Sequence, residues 1–116
     1  MSTGVRLRVV FFKTESGREP VREWIKSLPR AEQKIIGSDI LAVQYGWPIG
    51  MPLVRKLDED LWEVRSTLDN RIVRVLFTVE GSLMILLHGF IKKSQKTPKE
   101  DLALARKRLR QLRGQT

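Results

Sequence analysis

The stretch Leu83–Leu109, LMILLHGFIKKSQKTPKEDLALARKRL, joins an apolar run to a lysine cluster and then to a basic helix. Its first nine residues are apolar at both parities, which predicts a central strand covered on both faces. Thr97-Pro98-Lys99-Glu100 has the pattern of a capping box with proline at the first helical position, so we predict a helix from Pro98. The lysines between strand and helix would lie beside unpaired backbone N–H groups, which suits a phosphate. The alternative is a solvated loop.

The patterns upstream predict a strand, a helical hairpin and two further strands. The second helix should bury Ile36, Ile40 and Val43 and stop at Gly46. Residues 47–56 contain two prolines and a glycine, which predict a connection without an element of its own. The remaining predicted elements are a strand at Val5–Phe12, helices at Pro20–Leu28 and Arg30–Tyr45, and strands at Leu61–Thr67 and Ile72–Glu80, with a turn at Asp69-Asn70 and another at Gly81-Ser82.

Composition and charge narrow the function classes. The chain has 116 residues, 41% of them hydrophobic, which predicts one domain, residues 1–116, with a single core. No segment has the pattern of a signal peptide or a membrane span, and no cysteine is present, so we expect a cytoplasmic protein without disulfides or thiolate metal sites. The net charge is +9, and residues 91–116 hold nine Lys and Arg against two acidic residues. A basic end on a nearly balanced body predicts a polyanion partner, and the alternative is a solubility tail.

Two arginines should face each other across the predicted hairpin. Alternation assigns Val73, Val75, Phe77 and Val79 to the core face, and Arg65 and Arg74 to the opposite, open side of the sheet. A two-residue turn at Asp69-Asn70 places Arg65 directly opposite Arg74. Because like charges at such positions repel, we expect an anion, a carboxylate or a phosphate, between them. The alternative is surface neutralisation by Glu63 or Asp69.

LWEVR, IVRVLF and HGF-x-KK-x-x-KTP, with the upstream order strand, helix, helix, resemble the HigB-type toxins of the RelE superfamily, in the subgroup of phage-derived proteins. The resemblance implies a RelE-like α+β fold of order β-α-α-β-β-β-α, with a small twisted, mainly antiparallel sheet, a helical hairpin and a C-terminal helix. It also implies a ribosome-dependent mRNA endonuclease, cytoplasmic, needing no cofactor, and neutralised by a helix-turn-helix antitoxin in a hetero-oligomer.

The resemblance also suggests residue roles. Arg74 is similar to the strand arginine that contacts the scissile phosphate, and Lys93 matches the basic position at the strand end. Arg65 and Lys92 match basic positions of the subgroup. The tyrosine that several relatives place near the C-terminus has no counterpart, since Tyr45 is the only tyrosine. The residues expected to bind RNA are Lys96, Arg71, Lys56, Lys99 and Trp47, although Trp47 would alternatively pack within its loop.

The side chains present suit metal-free RNA cleavage, because no cluster of His, Asp and Glu has the spacing of metal ligands. The nucleophile would be the 2′-hydroxyl of the RNA. Arginines would stabilise the charge on the pentacoordinate phosphate, and one of the lysines 92, 93 and 96 would move a proton if neighbouring cations lowered its pKa. His88 is suited to the same work, but alternation groups it with Met84, Leu86 and Phe90, where a core histidine bonded to backbone is the alternative.

Two other function classes remain open on these residues. One is a non-catalytic nucleic-acid-binding module, which cleavage of ribosome-bound mRNA would exclude. The other is an interaction domain whose basic C-terminal helix docks on an acidic partner. The apolar stripe of this helix should hold it against the rest of the domain. The stripe consists of Leu102, Ala105, Leu109 and Leu112.

Overall fold

The computed structural model describes residues 6–92 and 97–114, and it has an α+β fold. The order β-α-α-β-β-β-β-α differs from the predicted order by one additional strand. The elements are β1 (Arg8–Phe11), α1 (Pro20–Lys26), α2 (Arg30–Gly46), β2 (Val54–Asp58), β3 (Leu61–Thr67), β4 (Ile72–Glu80), β5 (Leu83–Lys92) and α3 (Lys99–Leu112).

The additional strand, β2, lies in the stretch that was predicted to be a connection only. Its prolines and glycine end at Pro52, so the residues after them are free to adopt an extended backbone. Val54 pairs with Val64 of β3, and the pairing is antiparallel. The three strands predicted at Leu61–Thr67, Ile72–Glu80 and Leu83–Ile91 are neighbours in the sheet, and the prediction lacked only β2, because a strand this short depends on its partner more than on its own sequence.

The sheet has the strand order β1-β5-β4-β3-β2. Among the strands that the structure describes, β1 and β5 are the single parallel pair, so the prediction of a mainly antiparallel sheet is confirmed. Strands β3 and β4 have the predicted bounds, and Arg65 pairs with Arg74 as the turn at Asp69-Asn70 predicted. The backbone N–H of Leu68 donates to the carbonyl of Arg71 and closes that turn.

Helices cover both faces of the sheet. The hairpin α1–α2 packs on one face, and α2 buries the three predicted residues there. Helix α3 packs on the other face through Ala105 and Leu109, with Leu102 partly buried beside them. Leu112 is 38% exposed and was wrongly included in the buried stripe, because α3 ends at this residue. The apolar residues of the sheet that α3 covers are Leu61, Leu76, Ile85, Leu87 and Phe90.

A β-bulge in β5 changes the predicted faces of that strand. Phe77 of β4 pairs with Leu86, and the preceding Leu76 pairs with His88, so Leu87 is the additional residue. Met84 and Leu86 face the hairpin, as expected for their parity. Beyond the bulge, His88 stands opposite Leu76 on the α3 face, where Phe90 also lies. The predicted grouping of His88 with Met84 and Leu86 was therefore wrong.

The start of α3 differs from the predicted capping box. The helix begins at Lys99, with Pro98 as the N-cap, and no described side chain caps it. The hydroxyl of Thr97 instead donates to Oε1 of Glu63 at 3.2 Å. Thr97 therefore links the start of α3 to β3 rather than satisfying the first turn of its own helix.

Candidate anion-binding site

Three charged residues of β3 and β4 share the face of the sheet that α3 covers. Glu63 stands opposite Leu76, and Leu76 stands opposite His88. In the neighbouring row, Arg65 stands opposite Arg74, and Arg74 stands opposite Phe90. Side chains two residues apart on a strand point to the same face, so the two arginines and Glu63 are close neighbours.

Arg74 is buried rather than open to solvent. Its side chain is 2% exposed, and that of Glu63 is 0% exposed. Nη1 of Arg74 donates a hydrogen bond to Oε2 of Glu63, and the two groups form an ion pair. The expectation that Arg74 faces an open side of the sheet was wrong, because α3 packs on that face beside Phe90. The carboxylate of Glu63 is the anion that pairs with Arg74, and it is buried rather than a surface neutraliser.

The donors of the arginine cluster outnumber its acceptors. Nε of Arg65 and Nε of Arg74 are both buried, and neither has a hydrogen-bond partner among the described residues. Buried polar groups are almost always hydrogen-bonded, so these two N–H groups are suited to an additional acceptor. With one carboxylate against two guanidiniums, the three side chains keep one net positive charge. This charge and these donors favour an anion with several oxygen atoms.

Arg71 lies beside the tip of the β3–β4 turn and is already paired. Its Nη2 forms an ion pair with Oε1 of Glu32 in α2. The turn and Ile91 line an open groove of about 690 Å³. Arg71 is therefore bound to α2, the helix on the opposite face of the sheet from α3, and it lines this groove.

Two of the other predicted RNA-binding side chains contact aromatic rings. Lys56 is exposed on β2, and its Nζ lies 5.7 Å from the ring centroid of Trp62. Trp47 packs edge-on against Trp62, with 5.1 Å between centroids, and against Phe77, at 5.7 Å. The indole of Trp47 therefore packs against other side chains, which was the alternative to base stacking. Lys99, the first residue of α3, is exposed.

The structure describes only part of the predicted lysine cluster. The backbone of Lys92 ends β5 and pairs with Ile72. Lys93 and Lys96 lie outside the described residues, as do Ser94 and Gln95.

His88 is bonded to a carboxylate and not to backbone. Its Nε2 lies 2.6 Å from Oδ1 of Asp101, in the first turn of α3, and its ring stacks on Phe90 at 5.4 Å. His88 also lines a cleft of about 190 Å³ with Trp24 and Arg108. The alternative prediction, a core histidine hydrogen-bonded to backbone, was therefore wrong about the partner of His88. The contact with Asp101 fixes one ring nitrogen and leaves Nδ1 without a hydrogen-bond partner among the described residues.

Acidic residues of the sheet neutralise part of the charge of α3. Arg106 forms an ion pair with Asp58 at the end of β2. Arg113 donates to Glu80 at 2.6 Å and to Asp60 at 3.2 Å, and the hydrogen bond with Glu80 raises the pKa of Arg113. These exposed pairs contribute little to stability. They do reduce the positive charge that this helix offers to a partner.

Arg108 of α3 has a different environment. Its Nη1 donates to the backbone carbonyl of Leu87 at 2.8 Å, and its guanidinium lies 5.7 Å from the ring centroid of Phe12. Partial burial lowers the pKa of Arg108. The hydrogen bond satisfies a backbone carbonyl at the bulge, so Arg108 links α3 to β5.

Three residues of this face were absent from the sequence-based site. Glu63 shares the parity of the two arginines and was named only as a possible surface neutraliser, not as a residue of the site. Asp101 and Thr97 carried no such signal, because their partners depend on how α3 docks. Among the described residues, no group of three His, Cys, Asp or Glu side chains is placed to hold a metal ion. In the same part of the chain, none of the helices has the length and apolar character needed to cross a membrane.

Most of the chain matches a known protein family. A family model described as Phage derived protein Gp49-like (DUF891) matches residues 23–110, from α1 into the last turns of α3. This range is about three quarters of the chain and includes Glu63, Arg65 and Arg74. No curated protein matches the sequence. The chain belongs to the Gp49-like family of phage-derived proteins, which is associated with the toxins of toxin–antitoxin systems.

Proposed function

We propose that this protein is the toxin of a type II toxin–antitoxin pair, of the HigB type within the RelE superfamily, and that it cleaves mRNA on the ribosome. Its partners would be the ribosome, the mRNA and a helix-turn-helix antitoxin, with which it would form a hetero-oligomer in the cytoplasm. The family membership supports a toxin at the coarser level. The arginine pair is the observation that carries the finer proposal.

The pair of Arg65 and Arg74 suits the transition state of RNA cleavage. Attack by a 2′-hydroxyl on the adjacent phosphate gives a pentacoordinate phosphorus that carries additional negative charge. Positively charged donors fixed on strands stabilise that charge without rearranging. Arg65 is partly exposed and Arg74 is buried beside it, so the phosphate would meet Arg65 first and use the free Nε–H groups of both.

The reaction also needs a proton acceptor for the 2′-hydroxyl and a proton donor for the leaving 5′-oxygen. Lys92, Lys93 and Lys96 remain proposed for these roles and for contacts with the RNA backbone. His88 is a second source of a proton, since Asp101 fixes its Nε2 and Nδ1 is free of described partners. Arginine and lysine supply the charge, so no step of this scheme requires a metal ion.

A non-catalytic nucleic-acid-binding module is the second candidate. It is favoured by one observation, that Glu63 already neutralises Arg74. A buried ion pair of this kind can be purely structural, with Arg65 and the exposed lysines binding RNA.

One experiment separates the two candidates. Purified protein is added to ribosomes translating a defined mRNA, and cut sites are mapped by primer extension. We expect wild type to cut and Arg65→Ala to cut about 100-fold more slowly, the scale of one lost transition-state donor. Arg22→Ala, an exposed arginine on α1, is the matched control and should cut like wild type. Ribosome or RNA binding without any cleavage by wild type would reject the enzyme and favour the binding module.

A further inference from the structure

We propose that Glu63 is a positioning residue of the anion-binding site, which orients Arg74 for the phosphate and limits the positive charge of the arginine pair. This inference rests on the proposed function. Both carboxylate oxygens of Glu63 are engaged, Oε2 by Nη1 of Arg74 and Oε1 by the hydroxyl of Thr97 at 3.2 Å. The side chain is 0% exposed, so the carboxylate is held between two fixed partners.

These two contacts restrict the rotation of Arg74. A guanidinium is planar and presents its five N–H groups in a rigid fork, so fixing one Nη fixes the direction of the others. Nε of Arg74 then has one direction and no acceptor among the described residues. A donor that is already oriented does not have to rearrange when charge develops on the phosphate.

Glu63 also sets the charge of the site. Arg65 and Arg74 together carry two positive charges, and the carboxylate removes one. The remaining charge matches one phosphodiester, which carries a single negative charge. Without Glu63 the site would attract RNA more strongly in the ground state, while Arg74 would lose its fixed direction.

The two hydrogen bonds of Glu63 exclude the more obvious chemical role for this carboxylate. A general base must come within hydrogen-bond reach of the 2′-hydroxyl, directly or through one water. Oε2 of Glu63 already accepts a hydrogen bond from Arg74, and Oε1 accepts one from Thr97, so neither oxygen is placed to take the proton of the 2′-hydroxyl. It therefore acts through Arg74, and its loss should separate binding from turnover.

The test compares Glu63→Gln with wild type in single-turnover cleavage of ribosome-bound mRNA and in binding to single-stranded DNA, which lacks the 2′-hydroxyl. We expect the cleavage rate of Glu63→Gln to fall about 100-fold, since small misplacements of a positioned group cost this much. Its affinity for DNA should rise about fivefold through the removed charge. Glu59→Gln, at the exposed β2–β3 turn, removes one charge away from the site and should change neither quantity. A wild-type cleavage rate in Glu63→Gln, or equal losses of binding and cleavage, would overturn the proposal.

Thr97→Val provides an independent variant if Glu63→Gln does not fold. It removes one hydrogen bond of the carboxylate and keeps the ion pair with Arg74. We expect cleavage to slow roughly fivefold, the scale of one hydrogen bond, with unchanged DNA affinity. Unchanged cleavage by a folded Thr97→Val would contradict the positioning role.

Failure of the proposed function has a different outcome. If wild type cuts no mRNA, the enzyme proposal is rejected, and the DNA affinities of Glu63→Gln and Thr97→Val still test Glu63. An increase in Glu63→Gln that Arg74→Gln abolishes in the double variant would support charge limitation by Glu63. An affinity equal to that of wild type in Glu63→Gln would reject it. If Glu63→Gln does not fold, the DNA affinity of Thr97→Val is compared with that of wild type. The ion pair between Glu63 and Arg74 is intact in this variant, so a changed DNA affinity would reject the proposal that this pair limits the charge of the site.

Discussion

The ion pair between Glu63 and Arg74 should dominate the effect of mutating either residue. Both side chains are essentially inaccessible to solvent, at 0% and 2% exposure. Removing one partner of a buried pair leaves the other charge without compensation and costs about 3–5 kcal/mol. We therefore expect Arg74→Met and Glu63→Gln each to lower the free energy of unfolding by about this amount.

The double variant should be far less affected than the sum of the single changes. Arg74→Met with Glu63→Gln removes both charges, and Gln at position 63 still has the hydroxyl of Thr97 as a partner. Pairs of buried charges are often replaced by neutral side chains at little cost. We expect the double variant to lie within about 2 kcal/mol of wild type, which implies a coupling energy of at least about 4 kcal/mol.

Urea unfolding followed by circular dichroism measures these quantities. For a slope of about 2 kcal/mol per molar urea, a loss of 4 kcal/mol lowers the midpoint by about 2 M. Such shifts are large beside a total stability of about 5–15 kcal/mol. If the two single losses add in the double variant to within about 0.5 kcal/mol, the residues do not act as a pair and the argument fails.

The loss of stability on removing one partner of this ion pair also affects how toxicity is tested. Loss of growth arrest in Arg74→Ala would report unfolding as readily as lost catalysis, because the substitution leaves Glu63 buried and unpaired. Arg65 is partly exposed, and no ion pair between it and a described residue is seen. Arg65→Ala is therefore the cleaner test of the catalytic proposal.

Three further predictions concern other parts of the molecule. Gly89→Ala should lose about 1–3 kcal/mol in urea unfolding, because an added Cβ would lie 2.7 Å from ring atoms of Trp24. Gly37→Ala in α2 should instead gain up to about 1 kcal/mol, because apart from its chain neighbours and the adjacent helix backbone no described atom lies within 4 Å of the new Cβ, and equal effects would refute the packing argument. The hydrogen bond from Arg18 lowers the pKa of Glu23, so its stabilisation is present above the unfolded pKa and is lost as pH falls through the folded pKa; an NMR titration should show a higher Glu23 midpoint in Arg18→Gln, and an unchanged midpoint would contradict this cause. RNA affinity should fall with salt with a slope of about −0.7 per neutralised phosphate in fluorescence anisotropy, whereas a flat profile would favour an apolar interface.

Local sequence patterns were sufficient to predict the β-hairpin of β3 and β4, which carries the arginine pair. Strands β3 and β4 have the predicted bounds because their alternation and the Asp69-Asn70 turn are encoded within 20 residues. The turn fixes the register, and the register alone places Arg65 opposite Arg74. This part of the site could be predicted because it needs no information about the rest of the chain.

The environment of that pair could not be predicted in the same way. Whether Arg74 is open or buried depends on the docking of α3, which rests on apolar contacts such as Ala105 with residues distant in sequence. Glu63 was recognised as a neighbour of the arginines, but its burial follows from the same docking. The face of His88 depends on the bulge at Leu87, which alternation within β5 does not reveal.

Two polar contacts, four residues apart in the chain, hold the start of α3 on the sheet. Thr97 bonds to Glu63 on β3, and Asp101 bonds to His88 on β5, with Leu76 of β4 between those two partners. A helix held only by Ala105 and Leu109 could shift along an apolar surface, because hydrophobic contacts have no direction. Hydrogen bonds to both sides of Leu76 require one position. The docking of α3 and the environment of Arg74 are therefore parts of one arrangement, since the carboxylate that pairs with Arg74 also receives the bond from Thr97.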